Sequence, residues 1–291
     1  MRGSAVAIGV LCASVTASHT SARADGSSID DGATADSPAV RLHVPSYPLP
    51  VYPSGRCDDP AGGGLALAPG QNPASTLVIG TSLQGRPIWA EHWGPDAGPQ
   101  VLVVGQVHGN ECTPIVFTHA VRRATWHNVG VWLIPTLNPD GYAAFSRYNA
   151  AGVDLNTDGY RVAQPESRAL MELTAKVHPL LTLHVHSPNS FVGWFGTGDA
   201  TTVAGRISRA TGLRAAPAGT RTGTNWFLWQ GQQRVWPSGG TVLVELDPVV
   251  PWEASTATER GPLRSVQQAD AMSDAALIAL DNSFAQRSAA Q

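Results

Sequence analysis

Charge is scarce in this chain. Asp, Glu, Lys and Arg make up 14% of its 291 residues, against about 25% in typical domains, and Lys176 is the only lysine. With a formal net charge of −3 there is no basic footprint, so nucleic acid is excluded as an expected partner. Long apolar runs are missing too. The stretch over residues 5–15 is too short to cross a bilayer as a helix, no later run is longer, and no membrane span is expected. Cysteine is limited to Cys12, Cys57 and Cys112, too few for a disulfide scaffold.

What is present begins with an export signal. Arg2, the apolar stretch and the small-x-small sequence Ala22-Arg-Ala24 before Asp25 read as a signal peptide over residues 1–24, which predicts a secreted or periplasmic protein. Leu11 stands where a lipoprotein site at Cys12 would need a small residue. Export leaves two readings for the remaining cysteines. Cys57 and Cys112 pair, tying an N-terminal arm to the helix after Glu111, or Cys112 is a small buried hydrophobe.

Residues 25–75 are rich in Gly, Ser, Pro and Asp and read as a flexible tail and irregular arm. Over 76–285, β-rich runs at 76–80, 87–93, 101–105, 129–135, 180–185 and 241–246 interleave with helical patterns at 111–124, 165–177, 200–211 and 263–279. This alternation predicts a single α/β domain with a mixed, mostly parallel twisted central sheet covered by helices on both faces.

Four segments carry candidate chemistry. His108-Gly-Asn-Glu111 follows the apolar run at 101–105 and sets an imidazole and a carboxylate at a strand's carboxyl edge, half of a zinc site; a strand-end His beside a helix-opening Glu is the alternative. His184 and His186 end a buried run and point to one face. Either is a ligand or a packed core histidine, with His186 nearer the strand end. Glu245 stands inside the apolar run 241–246 as a general base or an ordinary strand-end acid, with Asp247 as a competitor. Arg147 and Asp154 follow the turn Asn138-Pro-Asp-Gly141. Arg147 is an oxyanion cation or a loop arginine, and Asp154 fixes a ligand tautomer or is a solvated acid.

The order of these pieces resembles the zinc metallocarboxypeptidase family, and most of all its bacterial murein peptide amidase branch. They are Thr81-Ser-Leu-Gln-Gly-Arg-Pro-Ile88, His108-x-x-Glu111, Asn138-Pro-Asp-Gly141, Arg147-x-Asn-x-x-Gly-Val-Asp-Leu-Asn156, Pro165-Glu-Ser-Arg-Ala169, His186-Ser-Pro188 and Glu245. The resemblance implies one zinc ion held by His108, Glu111 and His186, with Glu245 as general base. It implies that Arg147 polarises the scissile carbonyl and that Asp154 supports His108, with His184 beneath the ligands. It also implies a cis bond at Ser187-Pro188.

The expected activity is therefore that of an exported, monomeric zinc peptidase or amidase acting on a peptide or muropeptide of the cell wall. The alternatives are a zinc-bearing binding domain without catalysis and a zinc-dependent deacylase of N-acyl amino acids. One position departs from the family. Where an Arg would join Asn156 to grip the substrate's terminal carboxylate, this chain has Thr157, and an Arg fork is a contact that Thr cannot replace. Arg161 lies four residues on. Trp226, Trp229 and Trp236 lie between His186 and Glu245, as pocket walls or as packing, and Trp226 is taken with Asn156 and Thr157 as substrate-binding.

Overall fold

A computed structural model describes Cys57 and residues 72–196, 198–249 and 262–285. The signal peptide and nearly all of the N-terminal arm expected from the sequence lie outside the described residues. A sheet of eight strands runs through the domain: β1 (Ser75–Thr81), β2 (Pro87–Trp93), β3 (Gln100–Val104), β4 (Gly130–Ile134), β5 (Leu181–His186), β6 (Phe191–Phe195), β7 (Arg214–Pro217) and β8 (Gly240–Glu245). Their order is β1-β2-β4-β3-β5-β8-β6-β7. The pairings β3/β4, β3/β5, β5/β8 and β6/β7 are parallel, while β1/β2, β2/β4 and β6/β8 are antiparallel.

Alternation along the central strands splits the core in two. Val101 and Val103 of β3, Leu181, Leu183 and Val185 of β5, and Val242 and Val244 of β8 face one cluster. That face is covered by α1 (Thr113–Arg123), α4 (Gly198–Thr211) and α6 (Val266–Asp281). Leu102 and Val104 face the other cluster, which is closed by α3 (Pro165–Val177) and α5 (Leu228–Val235). These strands are largely apolar because both of their faces are buried. Two short helical pieces, α2 (Pro139–Ala143) and a 3-10 turn (Leu155–Thr157), complete the described elements that bear on the site. Among the described residues, no helix is long and apolar enough to cross a membrane.

The sequence pattern misses β6, β7 and α5. β6 and β7 are only five and four residues long: β6 is an apolar run too short and too interrupted by Gly193 to show a period, and β7 is largely exposed and has no apolar run. α5 is rich in glutamine, Gln230, Gln232 and Gln233, and buries only one narrow stripe.

Candidate functional site

Parallel β3, β5 and β8 end at the same edge of the sheet, and each delivers part of the site there. After Val104 the chain leaves β3 in a tight turn at Gln106, which has a positive φ of 41°. Two buried amides and a hydroxyl brace that turn. Gln106 Nε2 donates to the Glu111 carbonyl at 3.2 Å, Thr136 Oγ1 donates to Gln106 Oε1 at 2.9 Å, and Asn138 Nδ2 donates to the Val107 carbonyl at 3.2 Å. Gly109 lies so close to the Asn138-Pro-Asp-Gly141 turn that an added Cβ would stand 2.0 Å from the Gly141 carbonyl carbon and 2.1 Å from the Tyr142 nitrogen. Only glycine allows this approach of two backbones.

The turn brings His108 and Glu111 against His186, the last residue of β5. One ligand atom from each of these three buried residues lies within 4.8 Å of the others. Glu111 Oε1 is 2.5 Å from His108 Nδ1, Glu111 Oε2 is 3.0 Å from His186 Nδ1, and the two Nδ1 atoms are 3.3 Å apart. The far nitrogen of His108 fixes the tautomer. Asp154 is an acceptor, so His108 Nε2–H donates to Asp154 Oδ1 at 3.0 Å, and Nδ1 is left with a lone pair aimed at a carboxylate.

Such a convergence of lone pairs is repulsive unless a proton or a cation lies within it. Without a metal the protons must serve. Burial opposes the charged imidazole, but the Glu111 charge and the bonds to Asp154 and Glu111 outweigh it and lift the His108 pKa to about 9. Burial likewise opposes ionisation of Glu111, and the two histidines overcome it, holding its pKa at about 2. Two imidazole nitrogens and one carboxylate, buried and converging, are the donor set of a zinc site that keeps an open position. The residues fit the metal.

Asp154 has a second partner. Its Oδ2 accepts from Arg147 Nε at 3.0 Å, and Arg147 Nη1 reaches to 3.7 Å from Glu111 Oε1. Burial works against the Asp154 carboxylate, yet its bonds to His108 and Arg147 keep its pKa well below the usual carboxylate range. Arg147 is thus fixed beside the ligand cluster while its side chain remains 43% exposed.

Glu245 closes β8 opposite His186 in the ladder. Its Oε2 accepts from the side chain of Asn189 at 3.2 Å and from the Asn189 backbone at 3.4 Å. Burial raises its pKa, opposed by the nearby histidines and the Asn189 bond. Asn189 follows the cis Ser187-Pro188 bond. With Gln106 it is a residue whose part in the site is not visible in the sequence, because a neutral amide outside a motif gives no signal; Asn138 stands out only as the start of the Asn138-Pro-Asp-Gly141 turn. Asp247, the competitor of Glu245, is instead paired with Arg264 Nε at 2.6 Å.

The remaining expected positions divide. His184 is fully buried, with Nε2 2.5 Å from Gln232 Oε1 and its ring stacked 6.4 Å from that of His186. Burial lowers its pKa to about 3, so it packs beneath the cluster as a neutral ring. Asn156 and Thr157 lie in the 3-10 turn after Asp154. Asn156 Oδ1 is buried with no hydrogen-bond partner among the described residues, whereas Thr157 Oγ1 donates to the Asp154 carbonyl at 2.9 Å and is turned into its own loop. Trp226 stands against Tyr160, just beyond that turn. Two tryptophans weighed as pocket walls are packing residues. Trp229 is buried between Phe227 and His184, and Trp236 stacks on His178 at the opposite end of β5.

Comparison with known proteins gives the same direction. Residues 70–202 match the zinc carboxypeptidase family model. Carboxypeptidase SOL1 of Arabidopsis thaliana is 30% identical over 153 residues, which cover 42% of this chain and 31% of that protein. Carboxypeptidase 2 of Trichophyton rubrum is 29% identical over 97 residues, 30% of this chain and 18% of that protein. The chain therefore spans a third or less of the length of the curated relatives it matches. The murein-tripeptide amidase MpaA of Escherichia coli O157 superposes with a TM-score of 0.52 at 21% identity, covering 64% of this chain and 89% of that chain. A metallo-carboxypeptidase of Burkholderia cenocepacia gives 0.58 at 18%, covering 75% and 66%. At these identities the structures establish a shared fold.

Proposed function

Because residues 70–202 match the zinc carboxypeptidase family model, we propose that this protein is a zinc-dependent metallopeptidase or amidase that hydrolyses an amide bond of a peptide. The observation that carries this reading is the buried convergence of His108, Glu111 and His186 with Glu245 in register beside His186. His108, Glu111 and His186 would hold one zinc ion. When bound, that ion supplies a Lewis acid and brings the pKa of a coordinated water to about 7.

The protein's own groups divide the remaining work. Glu245 takes the proton of the attacking water and later hands it to the departing amine nitrogen. A carboxyl whose pKa is raised by burial takes the water's proton more readily than an exposed carboxylate would, and a pKa shifted towards the working pH suits a group that is base in one step and acid in the next. Arg147, a permanent cation fixed by Asp154, faces the oxyanion that develops on the carbonyl. Asp154 also holds the His108 tautomer that leaves Nδ1 free for metal.

The substrate proposed is a peptide of the cell wall, and the site of action proposed is outside the cytoplasm. The sequence of residues 1–24 supports export, and the likeness to a murein-tripeptide amidase supports the substrate. Replacing Glu245 with Gln is expected to cut turnover by about 10²–10⁴-fold while zinc content stays near one per chain. Wild-type activity in the Glu245→Gln variant would refute the mechanism.

One observation favours a second reading, a zinc-bearing binding domain without catalysis: Thr157 turns its hydroxyl inward and offers a substrate no cation. Metal analysis followed by a product screen on muropeptides, carboxyl-terminal dipeptides and N-acyl amino acids separates the readings, the deacylase included. Stoichiometric zinc with no product from any class would favour the binder.

A further inference from the structure

The turn from Asp154 to Gly159 leads out of the metal-ligand cluster onto a surface that the hydrolytic mechanism does not use. Gly159 N donates to the Trp226 carbonyl at 3.1 Å, and a Cβ on Gly159 would stand 2.0 Å from the Phe227 carbonyl oxygen. The segment carrying residues 221–227 is therefore pressed directly against this turn. It is also held rigidly. The Gln230 side chain accepts from the backbone nitrogens of Arg221 and Phe227 at 2.9 and 3.1 Å and donates to the Arg221 carbonyl at 3.0 Å.

Presented on this platform are two aromatic rings and a group of arginines. Tyr160, 40% exposed, meets Trp226 edge to face at 5.2 Å. Arg234 lies 5.6 Å from the Trp226 ring and 5.9 Å from the Tyr160 ring, and its Nη2 donates to the Tyr160 carbonyl at 3.1 Å. Arg221 lies 4.2 Å over the Phe227 ring, and Arg161 is exposed beside Tyr160. Among the described residues none of these three arginines makes an ion pair. The acid closest in sequence, Asp158, is buried and spends its two oxygens on the backbone nitrogens of Ala163 and Gln164. In a chain with net charge −3, a fixed cationic and aromatic surface of this kind is complementary to an anion attached to a peptide.

We propose that Arg221 and Arg234, set on the Tyr160–Trp226 platform, form a subsite for a carboxylate-bearing part of the peptide substrate. The proposal rests on the hydrolase reading for its placement at the end of a peptide whose amide lies at the ligand cluster. The chain of contacts from Asp154 to Trp226 supplies the path between the two. Thr157, its hydroxyl committed to Asp154, leaves the anion to be held from this rim.

The test is titration calorimetry on the full-length, zinc-loaded Glu245→Gln protein, which keeps the probes intact. Acetyl-Ala-Glu, with two carboxylates, is compared with acetyl-Ala-Gln-amide, which has none. The acid is expected to bind about tenfold more tightly at low salt, and less so as salt rises. The advantage should vanish in Arg221→Gln/Arg234→Gln and persist in Arg221→Lys/Arg234→Lys, which retains the charge if not the fork. Both arginines are exposed, and unchanged zinc content and melting temperature would confirm that the variants fold.

Equal affinity for the two probes, binding of neither, or an acid preference that survives Arg221→Gln/Arg234→Gln overturns the subsite. Failure of the hydrolase reading looks different: wild-type protein without zinc, or with zinc and no hydrolysis of any amide, irrespective of the titration. In turnover, the Gln variants should raise KM for the acid form of a cleaved peptide, leave its kcat unchanged, and leave the amidated form unaffected.

Discussion

Asp154 and Gly109 show how few atoms the site depends on. Asp154 accepts from His108 on one side and Arg147 on the other, so Asp154→Asn removes both a tautomer lock and the anchor of a cation. On the proposed reading, zinc affinity should fall about 10–100-fold and kcat should fall as well, measured by competition with a chelating indicator and by turnover at saturating metal. Unchanged affinity and rate would separate Asp154 from the site. Gly109→Ala tests a different cause. The added methyl would collide with backbone rather than with a movable side chain, so the loop carrying His108 and Glu111 must shift. A stability loss of about 1–3 kcal/mol, together with weakened zinc binding, is expected from denaturant titration and metal competition. A variant that matched the wild type in both would show that the two turns part freely.

Helix α1 carries one acid-sensitive group that lies away from the site. Arg122 pairs with Glu91 on β2 and Arg123 with Asp270 on α6, and His119 is buried one turn before them. Burial, reinforced by the charges of Arg122 and Arg123, lowers its pKa from 6.5 to about 3. The folded pKa lies below the unfolded one, so this histidine's contribution to stability is intact above pH 6.5 and is lost as pH falls towards 3. The slope is about 1.4 kcal/mol per pH unit in that window. His119→Asn removes the titration, so its stability should drop less than that of the wild type between neutral pH and about pH 4 in urea unfolding. Equal drops would mean that His119 does not titrate in this range.

The same scale explains what the sequence made legible. Apolar runs such as β3 and β5 and the capped or Pro-started helices announce themselves, because burial on both faces or on one stripe leaves a period in the chain. Elements that are stabilised by their neighbours leave none, which is why β6, β7 and α5 went unread. At the site, charged and ligating residues stood out, since their cost of burial demands a purpose. Gln106, Asn189 and Gln232 did not, although they hold those residues in place. Their partners come together only when the strands are ordered in the sheet. For the same reason the sequence left the three tryptophans equivalent, and only the fold separates Trp236 at the far edge from Trp226 beside the site.

Cys57 and Cys112 are disulfide-bonded, with Cα atoms 5.3 Å apart and a sequence separation of 55. This settles the alternative left open by the sequence, and it ties a distant part of the chain to the residue that immediately follows Glu111. Cys112 is also the residue before α1, so the bond fixes the start of that helix and the end of the ligand loop at once. Such a bond persists in an oxidising compartment, in keeping with the export proposed from residues 1–24. Closing a loop of this length is worth up to about 4 kcal/mol, chiefly by restricting the unfolded chain. Denatured, unreduced protein should therefore show no thiol from Cys57 or Cys112. The Cys57→Ser/Cys112→Ser variant should unfold at lower denaturant and, on the proposed reading, release zinc at a lower concentration of chelator. If the serine variant unfolds at the same midpoint and also holds zinc as tightly, the bond plays no part in either stability or the site. If only the zinc affinity is unchanged, the bond stabilises the domain without bracing the ligand loop, and the amides of Gln106 and Asn138 suffice to hold Glu111.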